Sequence, residues 1–357
     1  MPPYRAASPA PPCEKGRIAV LRIQLPPLTS VQDARTALQT AIGVEFGTLP
    51  PYLYALFSIR PNTNQAAADL IHSVVMQEMI HFTLDCNILN ALGGDPVVTA
   101  PTYPGPLPGD IGPHGQALTL HLHPFSRVAM EQAMAIEEPA VVPDFPIVRE
   151  AFAVEAERAV TIGEFYAELD AFLATLPASD WTPNRHQIDD DQFFAGQLFP
   201  VNGYADAHTA ITQIVSEGEG ALDEPLDFQH QIAHYYRFGE VFHDKVLTKT
   251  SQDPGYQWGP QPLGVDWAAA YPAIPDPELH DFSKDSPEAR AAQQQCNEAY
   301  TRLIDSLQQA VTGTAGALGV AVRAMCDLAM AAAHAVTVPL ADGKVAGPAF
   351  LYLEASA

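Results

Sequence analysis

The sequence predicts a mainly α-helical protein built around a four-helix bundle. Three observations lead there. Residues 69–92 run without proline or glycine and place apolar side chains at helical spacing. Three further long stretches, 30–59, 148–176 and 228–247, show the same spacing. Each of the four carries a carboxylate, alone or with histidine, at a depth where antiparallel neighbours would bring them together.

The densest of these groups is Glu78-x-x-His81. Three residues of helix turn about 300°, so both side chains leave the same face and reach one point. A carboxylate and an imidazole converging there form half a site for iron, manganese or zinc. Asp85 stands one turn beyond His81 and is placed to hold the far imidazole nitrogen. Alone, such a pair is also what chance puts on a solvated helix. The rest of the chain gives it weight.

In chain order, residues 1–20 are a Pro/Ala-rich flexible lead without the apolar core of a signal peptide. In the first helix Ser30 and Asp33 approximate a capping box. Glu45 is near mid-helix, and Pro50-Pro51 should kink the helix and leave carbonyls without intrahelical partners. Residues 60–64 turn the chain into the second helix, which brings Glu45 to the Glu78/His81 face. The Pro/Gly-rich stretch 93–124 reads as a long ordered loop, with an apolar–polar alternation at 118–123. A shorter helix, 126–138, is ended by Pro139. On the third long helix Glu157, Glu164 and Glu168 form one stripe, with Glu164 central beside Ile162 and Phe165. Residues 204–217 make another helix ending at Glu217-Gly-Glu-Gly220, where flanking glycines free the backbone around Glu219. The fourth long helix offers two registers. His230 and His234 are one turn apart, with Gln231 where a second ExxH would need Glu. Alternatively, Glu240-x-x-His243 is a literal ExxH. Residues 251–283 form an aromatic strap, 287–311 and 315–336 a helical hairpin, and 347–353 a strand or extended cover. The expected organisation is thus a lead (1–20), a metal-binding bundle (21–250), and a strap, hairpin and cover packed on it (251–357).

Composition narrows the partners. Lys and Arg number 18 against 42 Asp and Glu, a net charge of −24, which disfavours nucleic acid and anionic membrane. No apolar run is expected to span a bilayer. The four cysteines are scattered without CxxC, so zinc ribbons and disulfide frameworks are not expected. Cys86, Cys296 and Cys326 read as buried thiols of a reduced, cytoplasmic protein.

One Glu from each of two helices and Glu/His groups from two others is the layout of ferritin-like diiron bundles. The motifs also resemble a named family. Phe46-Gly-Thr-Leu-Pro-Pro-Tyr-Leu-Tyr-Ala-Leu, Gln77-Glu-Met-Ile-His-Phe, Ile162-Gly-Glu-Phe-Tyr, Gly218-Glu-Gly and His234-Tyr-Tyr-Arg-Phe-Gly-Glu are similar to the ferritin-like iminophenyl-pyruvate dimer synthase family. Asp266-Trp, Asn297-Glu-Ala-Tyr-Thr-Arg-Leu and Gly347-Pro-Ala-Phe extend the likeness over roughly residues 21–352. The resemblance implies a metal-dependent oxidative activity on an amino-acid-derived substrate in secondary metabolism. It supports Glu45, Glu78, His81 and Glu164 as ligands and points to Glu219 and His234. Gln231 departs from a full second ExxH, so Glu219 fills the vacancy or the site holds a single metal.

The expected function is an iron-dependent oxidase or oxygenase. It would hold one or two Fe ions, or Mn, and use O2 or peroxide on a small-molecule substrate. Arg237 is a candidate to grip a substrate carboxylate, and Tyr52 to line the pocket. Bundles of this kind often pair, which makes a homodimer the expected assembly. The competing readings are a metal-binding or iron-storage protein and a helical scaffold whose site has decayed.

Overall fold

The computed structural model describes residues 20–112, 115–139, 159–189, 193–194, 196–220, 225–227, 229–251 and 255–354. The expected lead apart from Val20, Cys13, Glu157 and the expected start of the third helix lie outside these residues. Among them are eight α-helices and little sheet.

Helices α1 (Val31–Phe57) and α2 (Gln65–Ala91) form the central antiparallel hairpin. Ser30 and Asp33 complete the capping box that starts α1. Pro50 and Pro51 lie inside α1, where proline removes the N–H that would bond the carbonyl four residues back. For Pro51 that carbonyl is Gly47 O, and the Tyr103 hydroxyl donates to it at 2.6 Å. Gly47 has no Cβ to keep the loop away; one placed there would lie 2.4 Å from Leu107 Cδ2. Hence the stretch carrying Tyr103 and Leu107 packs along α1 beside its two prolines.

Two pairs of shorter helices flank the hairpin. Helix α3 (Arg127–Ile136) packs with α6 (His234–His243), and α4 (Ile162–Leu173) packs with α5 (Tyr204–Gly218). The third and fourth helices are therefore shorter than their periodicity suggests. Helix α4 begins at a capping box made by Thr161 and Glu164, just after β2 (Ala159–Val160), which pairs antiparallel with β1 (Ile23–Gln24). Helix α6 starts only at His234. Upstream, His230 has φ of +61°, and Asp227 Oδ1 accepts from the backbone N–H groups of Gln229 and Gln231.

A short hairpin, β3 (Leu247–Lys249) with β4 (Tyr256–Trp258), follows α6. The strap is tied by Asn64, which exchanges hydrogen bonds with the Asp266 backbone, and by Trp267 stacked on Phe125. Helices α7 (Pro287–Val311) and α8 (Ala317–Ala335) form the second hairpin, α7 against α2 and α8 against α1. One continuous apolar core runs from Leu21 through α7 and α8 to Phe350. Contrary to the sequence reading, α8 is long and apolar enough to cross a membrane by length and composition. Here its Ala321, Leu328 and Ala332 face are buried, while Arg323 and Asp327 are exposed. Cys86 and Cys296 are buried free thiols, whereas Cys326 is exposed on α8.

Candidate metal centre

The α1–α2 hairpin brings Glu45 to the Glu78/His81 face as the sequence implies. His81 Nδ1 lies 3.6 Å from Glu45 Oε2 and 3.8 Å from Glu78 Oε1. The start of α6 adds His234, whose Nδ1 is 2.9 Å from Glu78 Oε1. One ligand atom each from Glu78, His81 and His234 lies within 4.8 Å of the others, and all three residues are buried. A third carboxylate arrives from the end of α3, where Glu137 Oε2 stands 3.7 Å from His234 Nδ1.

The outer atoms follow one pattern. Each carboxylate has one oxygen beside a hydroxyl and turns the other towards a histidine Nδ1. Tyr166 Oη is 2.8 Å from Glu45 Oε1, Thr48 Oγ1 is 2.6 Å from Glu78 Oε2, and Tyr52 Oη is 2.6 Å from Glu137 Oε1. Each imidazole likewise spends Nε2 on an outer partner, His81 on Glu217 Oε2 at 2.8 Å and His234 on Gln77 Oε1 at 3.1 Å. This leaves both Nδ1 atoms facing inward among carboxylate oxygens. His234 Nδ1 is buried and, despite its 2.9 Å approach to Glu78, meets no partner in hydrogen-bond geometry among the described residues. Donor atoms that converge without bonding one another fit a shared cation.

Without a cation the cluster must hold protons. Burial raises the Glu78 carboxyl to about 7, helped by the charges of Glu137 and Glu45. Burial alone would lower His81, but the Glu217 carboxylate bonded at Nε2 and the nearby Glu45 charge hold it well above the usual histidine range. His234 is raised by Glu137 and Glu78 against the same opposing burial. Burial would also raise Glu45, yet His81 and Tyr166 bring it below the ordinary value. Tyr166 Oη sits 2.6 Å from Asp85 Oδ2 as well as on Glu45, and one phenol proton cannot serve both oxygens. Burial and the Glu45 charge push the Asp85 carboxyl well above the usual carboxylate range.

Several expected residues stand elsewhere. Glu164 is exposed, and its carboxylate accepts from the Thr161 N–H to cap α4, because the helix starts there rather than at 148. Glu219 ends α5 and accepts from the Gly163 N–H at 2.7 Å, at the positive start of α4. A Cβ at Gly163 would lie 2.4 Å from Glu219 Oε2, so glycine there lets the carboxylate reach the backbone. The inward position belongs to Glu217, two residues earlier and 0% exposed. Asp85 does not hold His81; Glu217 does. Gln231 lies off the helix, so no ExxH ending at His234 can form, and Glu137 occupies the space. Glu240 Oε1 accepts from the Leu247 N–H at 2.7 Å, and His243 lies against Trp258, which leaves the second register outside the cluster.

Arg237 and Tyr52 are close to the centre but present no free group. Tyr52 is 2% exposed and bonds Glu137. Arg237 is 3% exposed and bonds Ser73, Gln77, Gln231 and the Ile232 carbonyl. Glu137 and Glu217 were missed because each sits at a helix end, where periodicity gives no facing. Their one signal was a glutamate within two residues of a Pro or Gly near a helix end.

A helical bundle enclosing a buried His/carboxylate cluster defines a ferritin-like architecture able to bind metal. The chain belongs to the ferritin-like family, whose model matches residues 38–243 and so spans every residue of the cluster. A solved structure of a ferritin-like protein from Caulobacter vibrioides is similar at a TM-score of 0.62 and 24% identity. The match covers 90% of this chain and 100% of that one, and the likeness is one of fold. No curated protein matches the chain.

Proposed function

We propose that the protein is a metal-dependent, iron-using oxidase or oxygenase acting on an amino-acid-derived small molecule. The observation that carries the metal is the inward pair of imidazole Nδ1 atoms, set among carboxylate oxygens with their outer atoms already engaged. Glu45, Glu78, His81, Glu137 and His234 would hold it, a donor set suited to iron or manganese. Bound iron would supply one-electron chemistry towards O2 or peroxide. Tyr166, Thr48 and Tyr52 orient the carboxylates, Glu217 and Gln77 orient the imidazoles, and the surrounding core excludes water. The resemblance to iminophenyl-pyruvate dimer synthases supports the substrate class and a place in secondary metabolism.

A second reading, metal binding or iron storage without substrate oxidation, is favoured by one observation. Glu45, Glu78, His81, Glu137 and His234 are all buried, and a cleft bounded by Leu25, Pro26, Leu28 and Phe172 is lined by other residues. The two readings separate in an oxygen electrode. Iron-loaded protein should consume O2 in proportion to added aromatic amino-acid imine. Consumption that stops at the stoichiometry of the added iron would select storage.

A further inference from the structure

The two histidines of the centre are held by different chemistry. His81 Nε2 faces a carboxylate, which can only accept while ionised, so its proton is placed by Glu217 alone. His234 Nε2 faces an amide. A glutamine can turn either its oxygen or its NH2 to a ring nitrogen, so Gln77 by itself leaves the His234 proton undetermined.

Arg237 removes that freedom. Its Nη1 is 2.6 Å from Gln77 Oε1 and 2.9 Å from Ser73 Oγ. A guanidinium has no lone pair with which to accept, so the Gln77 atom facing it is the oxygen. The same oxygen faces His234 Nε2, which must then carry the hydrogen. In the neutral imidazole Nδ1 is then bare and faces Glu78 Oε1 and Glu137 Oε2. Arg237 is itself fixed. Its Nε donates to the Ile232 carbonyl, Nη2 reaches Gln231 Oε1 at 3.4 Å, and Ser73 passes its own proton to Leu70 O at 2.7 Å. The direct partners are all neutral oxygens, while the charges of Asp227, Glu217 and Glu240 favour the buried cation from further off. Gln231, which breaks the expected ExxH, is one of the direct partners.

We propose that Arg237 is a positioning residue: acting through the Gln77 amide, it fixes the His234 proton on Nε2 and aims Nδ1 at the carboxylates of the metal centre. The proposal rests on the metal reading above for its purpose but not for its test. It also makes the two imidazoles unequal. A carboxylate behind His81 strengthens it as a donor, whereas an amide polarised by a guanidinium weakens His234.

The test uses the full-length chain with 15N-labelled histidine, alone at alkaline pH and loaded with Zn(II). Wild type should show His234 protonated on Nε2 in both states. Arg237→Met keeps the apolar stem and should populate the Nδ1–H form in the metal-free chain. It should weaken Zn(II) by roughly 10- to 100-fold in chelator competition. Arg237→Lys, also a pure donor, should recover most of that loss. The decisive variant is Gln77→Glu/Arg237→Met. A carboxylate needs no orienting, so Arg237 should become dispensable, with affinity within about threefold of Gln77→Glu alone. Circular dichroism identifies any variant that fails to fold, in which case Arg237→Lys carries the comparison. An unchanged His234 pattern in Arg237→Met, or a double variant no better than Arg237→Met, would overturn the proposal. Wild type that binds no Zn(II) would instead sink the metal reading, and the metal-free signals would still decide the tautomer.

Discussion

Replacing Glu217 with Gln should cost metal affinity without removing any atom that faces the centre. Glu217 is 0% exposed, and its Oε2 lies 2.8 Å from His81 Nε2. Its Oε1 is buried with no hydrogen-bond partner among the described residues. Glutamine keeps the shape, loses the charge and places an NH2 where nothing accepts it. The charge loss weakens His81 as a donor, and outer partners of this kind are worth about 10- to 100-fold in affinity, or roughly 1.4–2.7 kcal/mol. The unpaired NH2 adds a stability cost of about 1–3 kcal/mol. In the metal-free protein the charge effect has a definite sign. Glu217 helps hold His81 protonated, so its contribution is complete below the ordinary histidine value of 6.5 and fades as the pH rises through the raised folded value. The loss of Tm in Glu217→Gln should therefore be largest at pH 5–6 and smallest at alkaline pH. Zn(II) competition and thermal melts across pH measure both effects. Unchanged affinity, or a Tm loss independent of pH, would refute the assignment of Glu217 to His81.

Glu137→Ala should lose metal as completely as Glu78→Ala. Glu164→Ala should keep it and lose only about 0.5–2 kcal/mol from the α4 cap, as read by metal analysis and urea melts. The Tm gain on adding metal should grow from pH 5 to pH 8. Metal requires Glu78 ionised, whereas burial holds that carboxyl at about 7, and a gain that is flat with pH would contradict this. Tyr103→Phe leaves the Gly47 carbonyl without its hydroxyl donor and should cost about 1–3 kcal/mol with metal content unchanged, since it acts beside the α1 prolines and not on the centre.

Much of the centre was legible because helix geometry is local. Glu78-x-x-His81 shares a face wherever the helix exists, and an antiparallel neighbour of equal length must bring Glu45 beside it. His234 was legible as one of two alternatives, and its position at the first turn of α6 came from a loop that periodicity cannot see. Glu164 and Glu219 were misplaced for a related reason. Both satisfy backbone N–H groups at the start of α4, and where a helix starts is decided by caps and tertiary pairing rather than by apolar spacing. Glu137 and Glu217 approach from helix ends, where one residue changes the direction of the side chain by about 100°. The fold class needed none of these details, since it follows from helix number, length and buried faces.

Metal content per chain tests the central claim most directly, by elemental analysis of wild type and Glu78→Ala purified without chelator and after anaerobic loading with Fe(II). The account predicts at least one tightly held iron in wild type and its loss in the variant, with both proteins folded. Wild type that retains no metal after loading, or a variant that retains all of it, would contradict a centre built on Glu45, Glu78, His81, Glu137 and His234.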